Sequence, residues 1–228
     1  MISIAIDGPA GAGKSTIARI IAKKLKIVYL DTGAMYRTVA LKAIREGIDA
    51  KDREKVSQLV KNIDMDILFN GNEQYMILDK EDVSGHIRSS EVSVGASNIA
   101  CIPEVRIKMA QLQREFASKN SVVMEGRDIG TYVLPHADIK IFLTASIEER
   151  AKRRYYQNIN KGMTNVSPEE IKKEIEYRDK NDSGRELAPL IKAKDAIEID
   201  TTKLTIKQVT GKIIGYIRQA KGKNGGIC

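Results

Sequence analysis

The apolar run Ile2-Ser3-Ile4-Ala5-Ile6-Asp7 leads straight into Gly8-Pro9-Ala10-Gly11-Ala12-Gly13-Lys14-Ser15, and an apolar-periodic segment follows. A strand, a glycine loop and a helix in that order confine the chain to α/β folds in which a parallel strand delivers an anion to a helix N-terminus. The glycines let consecutive backbone N–H groups turn into one concavity that fits phosphate oxygens. Lys14 reaches the outer phosphates as a point charge. The Ser15 hydroxyl is placed to ligate Mg²⁺, with Thr16 as the adjacent hydroxyl. The whole pattern is a Walker A loop in its required strand–loop–helix context. It predicts binding of a nucleoside triphosphate.

The rest of the chain continues the same alternation. Residues 14–26 read as a helix with Ile17, Ile20, Ile21 and Leu25 on one face, and 27–30 as a second strand ending at Asp31-Thr32-Gly33. Helices are expected over 34–46, which Thr32 can cap, and over 52–62. Residues 63–85 change character: Met65, Ile67 and Phe69 alternate with Asp66 and Leu68, Asn70-Gly71 follows, and then Tyr75-Met76-Ile77-Leu78. This predicts an inserted antiparallel hairpin turning at Asn70-Gly71. Helices over 89–101 and 103–118 lead to a core strand at 121–124, and another core strand spans 138–143. A charged helix at 146–158 and one starting at Ser167-Pro168 come before a fifth core strand at 196–200. A helix over 205–220 and a frayed tail over 221–228 close the chain. The predicted fold is α/β, a P-loop-type five-stranded parallel sheet flanked by helices, with ligands at the strand carboxyl ends.

Composition narrows the partners. The 228 residues carry a net charge of +8, three Phe, no Trp and two cysteines, Cys101 and Cys228, in no metal or redox spacing. The cysteine usage predicts a reduced, cytoplasmic compartment. No stretch approaches the roughly 20 apolar residues of a membrane span, and the N-terminal run is too short for a signal peptide. The basic charge suits nucleotide phosphates as well as nucleic acid. No RNA- or DNA-binding motif accompanies it and few aromatics are available to stack bases, so no nucleic-acid partner is expected.

Charged clusters fall at the predicted strand ends. Arg37, one turn into its helix, can fork onto a phosphate, against the alternative of an ordinary surface arginine. Glu125-Gly126-Arg127-Asp128 offers an acid that could hold Mg²⁺ through water, an arginine between donor and acceptor phosphates, and a carboxylate able to accept from an exocyclic amine. Arg150, Arg153 and Arg154 share one helical face, either as a solvated face paired with Glu148 and Glu149 or as a lid over the transferring phosphate. Arg178 and Asp182 are one turn apart, with a simple salt pair as the alternative. The two histidines, His86 and His136, stand in no nucleophile relay.

Taken in order, Gly8–Ser15, Asp31-Thr32-Gly33-(x)₂-Tyr36-Arg37, Asp82-Val83-Ser84-Gly85-(x)-Ile87-Arg88, Gly126-Arg127-Asp128-Ile129-Gly130-Thr131, Glu148-Glu149-Arg150-Ala151-(x)-Arg153-Arg154 and Arg178-Asp179-(x)₂-Asp182-(x)₂-Arg185 resemble bacterial cytidylate kinases over essentially the whole chain. The resemblance implies a CORE (1–62, 104–145, 186–228), an NMP-binding insert (63–103) and a LID (146–185). It implies transfer from ATP to CMP or dCMP with Mg²⁺ by a monomer. A broader UMP/CMP kinase and, further off, an RNA-associated P-loop ATPase are the alternatives. It assigns Thr32, Arg37 and Arg127 to the acceptor phosphate, Tyr36 to the CMP site, and Ser97, Arg106 and Asp128 to cytosine. Arg178 and Asp182 would hold the ribose, and Arg185 phosphates. Gly8–Thr16 with Arg150, Arg153 and Arg154 would surround ATP, and Ser15 and Glu125 the metal. Lys14, Arg127, Arg150 and Arg154 would act in catalysis. Glu125 stands where the family more often carries Asp.

Overall fold

The computed structural model describes residues 1–71, 73–160 and 167–223. Five strands form one parallel sheet: β1 (Ser3–Asp7), β2 (Val28–Asp31), β6 (Val122–Gly126), β7 (Ile139–Thr144) and β8 (Ile197–Asp200), in the order β2-β6-β1-β7-β8. β1 lies at the centre, with Asp7 opposite Gly126 of β6 on one side and Phe142 of β7 on the other. β2 is registered so that Asp31 stands opposite Glu125. The inner strands β1 and β6 are buried on both faces and read as nearly unbroken apolar runs, while the edge strand β8 alternates, with Glu198 and Asp200 exposed.

Two helix layers cover it. On one side α1 (Lys14–Leu25) and α8 (Ile206–Lys223) pack Ile17, Ile21, Ile213 and Ile217 onto Ile4, Ile6 and Ile141. On the other, α5 (Pro103–Lys119) presents Ala110 to Leu30, Val122 and Met124. A further core joins α2 (Thr32–Arg45), α3 (Arg53–Lys61) and α4 (Ser90–Ile99) to α5 and to the small antiparallel sheet β3 (Met65–Asn70), β4 (Glu73–Leu78) and β5 (Glu81–Asp82). The two remaining helices, α6 (Ile147–Ile159) and α7 (Pro168–Ser183), pair through Ala151, Ile171 and Ile175. Ser167 and Glu170 close the expected start of α7 as a reciprocal capping box.

Three expectations are corrected. Thr32 does not cap α2: Asp31 does, its Oδ1 accepting from Ala34 N–H at 3.0 Å. The register of β2 on β6 carries Thr32 across to β6, where its hydroxyl donates to the Glu125 carbonyl at 2.7 Å. The hairpin turns one residue later than Asn70-Gly71, because Asn70 still pairs with Glu73; Gly71 adopts φ 60°, and residue 72 lies outside the described residues. The tail is helical as far as Lys223, and 224–228 lie outside the described residues.

Gly8 shows how tightly the loop leaves the sheet. Its φ is +144°, and a Cβ there would stand 1.9 Å from the Leu143 carbonyl oxygen of β7. Both strain and collision fall on backbone that cannot yield. Gly8→Ala is therefore expected to lower unfolding free energy by about 3 kcal/mol or more, read by urea melts; a wild-type midpoint would contradict this packing.

Candidate active site

The carboxyl ends of β1, β2, β6 and β8 open into one cavity of about 860 Å³, lined by ten basic and six acidic side chains. Of the residues the resemblance assigns to ATP, CMP, metal or catalysis, all but Gly8, Pro9 and Arg150 line it. At one end lies the loop before α1. Gly13, at φ 92°, precedes the helix, and Lys14 folds back so that Nζ donates to Pro9 O at 2.8 Å. Burial, followed by the nearby Arg127 guanidinium, pushes the Lys14 pKa down to about 7. The loop thus holds a cation that burial and a neighbouring guanidinium oppose, against the partial support of Glu125, Asp182 and Asp7.

Arg150 supports this loop from beneath. Its guanidinium donates to Ala145 O at 3.0 Å, Ala10 O at 3.1 Å and Asp179 at 2.7 Å. Arg153 bonds Glu149 and both the hydroxyl and carbonyl of Thr201. Arg154 faces the cavity and makes no ion pair among the described residues. Of the three arginines on that helical face, Arg153 and Arg154 reach the cavity and Arg150 braces its floor.

The opposite end is an arginine cluster organised by three carboxylates. Asp31 bonds Arg37 at 2.8 Å; burial raises its pKa, but the Arg37 charge and the Ala34 N–H outweigh that and hold the carboxyl below its ordinary value. Asp128 pairs with the fully buried Arg106, which also stacks over the Tyr36 ring at 5.9 Å. Asp182 accepts from Arg127 at 2.6 Å and from Arg185. Arg178 meets Glu174 at 3.6 Å rather than Asp182, and burial with the neighbouring Arg127 lowers its pKa to about 10. The Nε atoms of Arg37, Arg106 and Arg185 are buried without a hydrogen-bond partner among the described residues. This end therefore carries donors that protein oxygens do not satisfy. Ser97 lines the same end and accepts from Asn181 at 3.2 Å.

Between the two ends lies Glu125. Tyr29 O–H donates to it at 2.5 Å, and burial followed by the Asp31 charge raises its pKa. No histidine lines the cavity. The site therefore sets basic side chains at both ends of the cavity, with a buried carboxylate between them.

A family model described as Cytidylate kinase matches residues 4–219. The chain belongs to the cytidylate kinase family. Proteins named cytidylate kinase from Bacillus thuringiensis (strain Al Hakam) and Bacillus anthracis (strain A0248) are each 50% identical over 216 residues, covering 95% of this chain and 96% of theirs. In the fold alone, the chain is similar to the crystal structure of an uncharacterized protein from Eubacterium ventriosum, at 16% identity and a TM-score of 0.50, covering 96% of this chain and 99% of that one. As a member of this kinase family the chain is a phosphotransferase.

The donor set fits Mg²⁺. Ser15 is exposed at the start of α1, and burial, followed by the charge of the neighbouring carboxylate Asp31, raises the Glu125 pKa. A hard cation that keeps several waters and takes its other oxygens from phosphates needs no larger protein cage. Among the described residues no three His, Cys, Asp or Glu side chains cluster as a closed metal site. The same described residues contain no helix long and apolar enough to cross a membrane.

Sequence reasoning missed several residues that line or brace this cavity. Asp31 and Arg88 both line the cavity and both lie within quoted motifs, so their motif membership was the available signal. Tyr29 carried no signal, because its contact with Glu125 spans 96 positions. Gln74 of β4 grips the Asp31 backbone, accepting from its N–H at 2.7 Å and donating to its carbonyl at 3.2 Å. That contact ties the small sheet to the strand end.

Proposed function

We propose that the chain transfers the γ-phosphoryl group of ATP to CMP or dCMP, giving ADP and CDP or dCDP. The observation that carries this is a single cavity with a triphosphate loop at one pole and, at the other, arginines organised for an acceptor that brings its own phosphate. Gly8–Thr16 would cradle the ATP phosphates, with Lys14 on the outer ones and Arg153 and Arg154 closing from α6. Thr32, Arg37 and Arg127, with Arg88, would hold the acceptor phosphate, and Tyr36 would line the CMP site beside Arg106. Ser97, Arg106 and Asp128 would read the cytosine. Arg178 and Asp182 would hold the ribose, and Arg185 a phosphate. Arg150 would act through the loop it braces unless closure frees it from Asp179.

The acceptor attacks through a phosphate oxygen that is already anionic near neutral pH, so alignment and positive charge suffice and no strong general base is required. Ser15 and, through water, Glu125 would hold Mg²⁺, which would supply positive charge to offset that of the donor phosphates. Residues 63–103 would form the acceptor-binding insert and 146–185 the lid over the remaining core. The same reading makes the protein a cytoplasmic monomer with no nucleic-acid partner. Chelation with EDTA is expected to abolish CMP-dependent ADP release and added Mg²⁺ to restore it; turnover unaffected by EDTA would overturn the metal role.

A further inference from the structure

Asp7 ends β1 immediately before the triphosphate loop, and its side chain is buried. No cation pairs with it among the described residues. Instead Oδ1 accepts the Ile129 N–H at 2.8 Å and Oδ2 the Gly130 N–H at 2.7 Å. These amides open a wide helical turn over Ile129–Val133, in which Tyr132 N–H and Val133 N–H donate back to Asp128 O. A carboxylate placed this way is expensive: burial pushes its pKa up to about 6, against the pull of the two amides and of Lys14. A neutral acceptor would fasten one amide at lower cost. What a carboxylate alone supplies is an acceptor oxygen for each of two adjacent amides.

What is fastened decides the role. The residues just before the turn are Arg127 and Asp128, whose side chains meet Asp182 and Arg106. The turn is gripped from its other side as well. A Cβ on Gly130 would stand 3.1 Å from Lys140 Cδ and 3.3 Å from Asp7 Oδ2, and Lys140 is itself held by Pro135 O and Asp195. Asp7 therefore joins, through one side chain, the strand that launches the donor loop and the loop that carries the acceptor-side pair. We propose that Asp7 is a positioning residue, setting Arg127 and Asp128 in register with the triphosphate loop so that donor and acceptor meet at the right separation. This inference rests on the kinase reading above.

Two variants test it from opposite sides of the contact. Asp7→Asn keeps the shape but turns one acceptor into a donor facing an N–H; Gly130→Ala keeps the carboxylate and crowds it. With Mg-ATP and CMP, Asp7→Asn is expected to lower kcat/KM for CMP by about 10- to 100-fold and to weaken the preference for CMP over UMP, because small misplacements of aligned groups cost that much. KM for ATP should stay within about threefold, since the loop that binds it is intact. Gly130→Ala should show the same split more weakly, and it decides the matter if Asp7→Asn does not fold. Amide exchange at Ile129 and Gly130, followed with and without nucleotide, should quicken in Asp7→Asn. Unchanged exchange, or equal losses for ATP and CMP with CMP preference retained, would overturn the positioning role. Wild-type protein without CMP turnover would instead contradict the kinase reading and leave the exchange result to judge the contact.

Discussion

Lys14→Met is expected to lower kcat by about 10³-fold and, at the same time, to raise the melting temperature of the nucleotide-free protein at pH 7. The first effect follows from the loss of the one lysine that lines the cavity, in the loop proposed to cradle the ATP phosphates. The second follows from burial. The folded Lys14 pKa is about 7 against an ordinary 10.5, so at neutral pH and below the folded chain bears the full cost of a cation held out of water. A shift of that size corresponds to a penalty on the order of 3 kcal/mol after allowance for relaxation, which for a chain of this length is roughly 5 °C or more in Tm. The sign with pH is fixed. Between pH 7 and 10.5 the unfolded chain binds the proton that the folded chain has lost, so this group's contribution makes wild-type stability rise with pH. The advantage of the variant should therefore be greatest at pH 7 and shrink by pH 9.5. Thermal melts at the two pH values check it, and a variant no more stable than wild type at pH 7 would contradict the account of Lys14.

Asp128→Asn is expected to keep the fold and lose at least tenfold of the discrimination between CMP and UMP. The amide oxygen can still accept from Arg106, but a side chain that was acceptor-only now presents a donor as well, which suits the uracil carbonyl as readily as the cytosine amine. Asp128→Ala should behave differently. It strands the Arg106 guanidinium, which is 1% exposed, without its carboxylate, and loss of one member of a buried pair typically destabilises by about 3–5 kcal/mol. Comparing kcat/KM for CMP and UMP in Asp128→Asn with the urea midpoint of Asp128→Ala separates reading from packing. An unchanged CMP to UMP ratio in Asp128→Asn would remove Asp128 from base recognition.

The parts of the molecule legible in the sequence are those where local physics and function coincide. Gly8–Ser15 fixes its own conformation through its glycines, and the apolar runs at 2–7, 121–124 and 138–143 lie where β1, β6 and β7 form. The start of α7 was readable because Ser167, Pro168 and Glu170 are a local cap. What stayed hidden depends on strand register and on contacts far apart along the chain. Thr32 is chemically a good cap, but pairing of β2 with β6 gives its hydroxyl the Glu125 carbonyl and leaves capping to Asp31. Arg178 and Asp182 have the spacing of a salt pair, yet Arg127 and Arg185 arrive from elsewhere and occupy Asp182. Arg150 shares a helical face with Arg153 and Arg154 but lies under the loop, because α6 crosses close enough that a Cβ on Gly11 would stand 3.0 Å from Arg150 Cβ. The Asp7 clamp joins positions 122 and 123 residues apart, and no local pattern announces it.

The central claim is that one cavity aligns ATP with a phosphate-bearing cytidine acceptor. Its most direct test is a coupled ADP-release assay with Mg-ATP against CMP, dCMP, UMP, AMP and GMP, with single-stranded RNA alongside. The account predicts strong turnover with CMP and dCMP and little with the others. Turnover with UMP equal to that with CMP would contradict base reading through Asp128, and RNA-stimulated hydrolysis without mononucleotide turnover would contradict the transfer reaction itself.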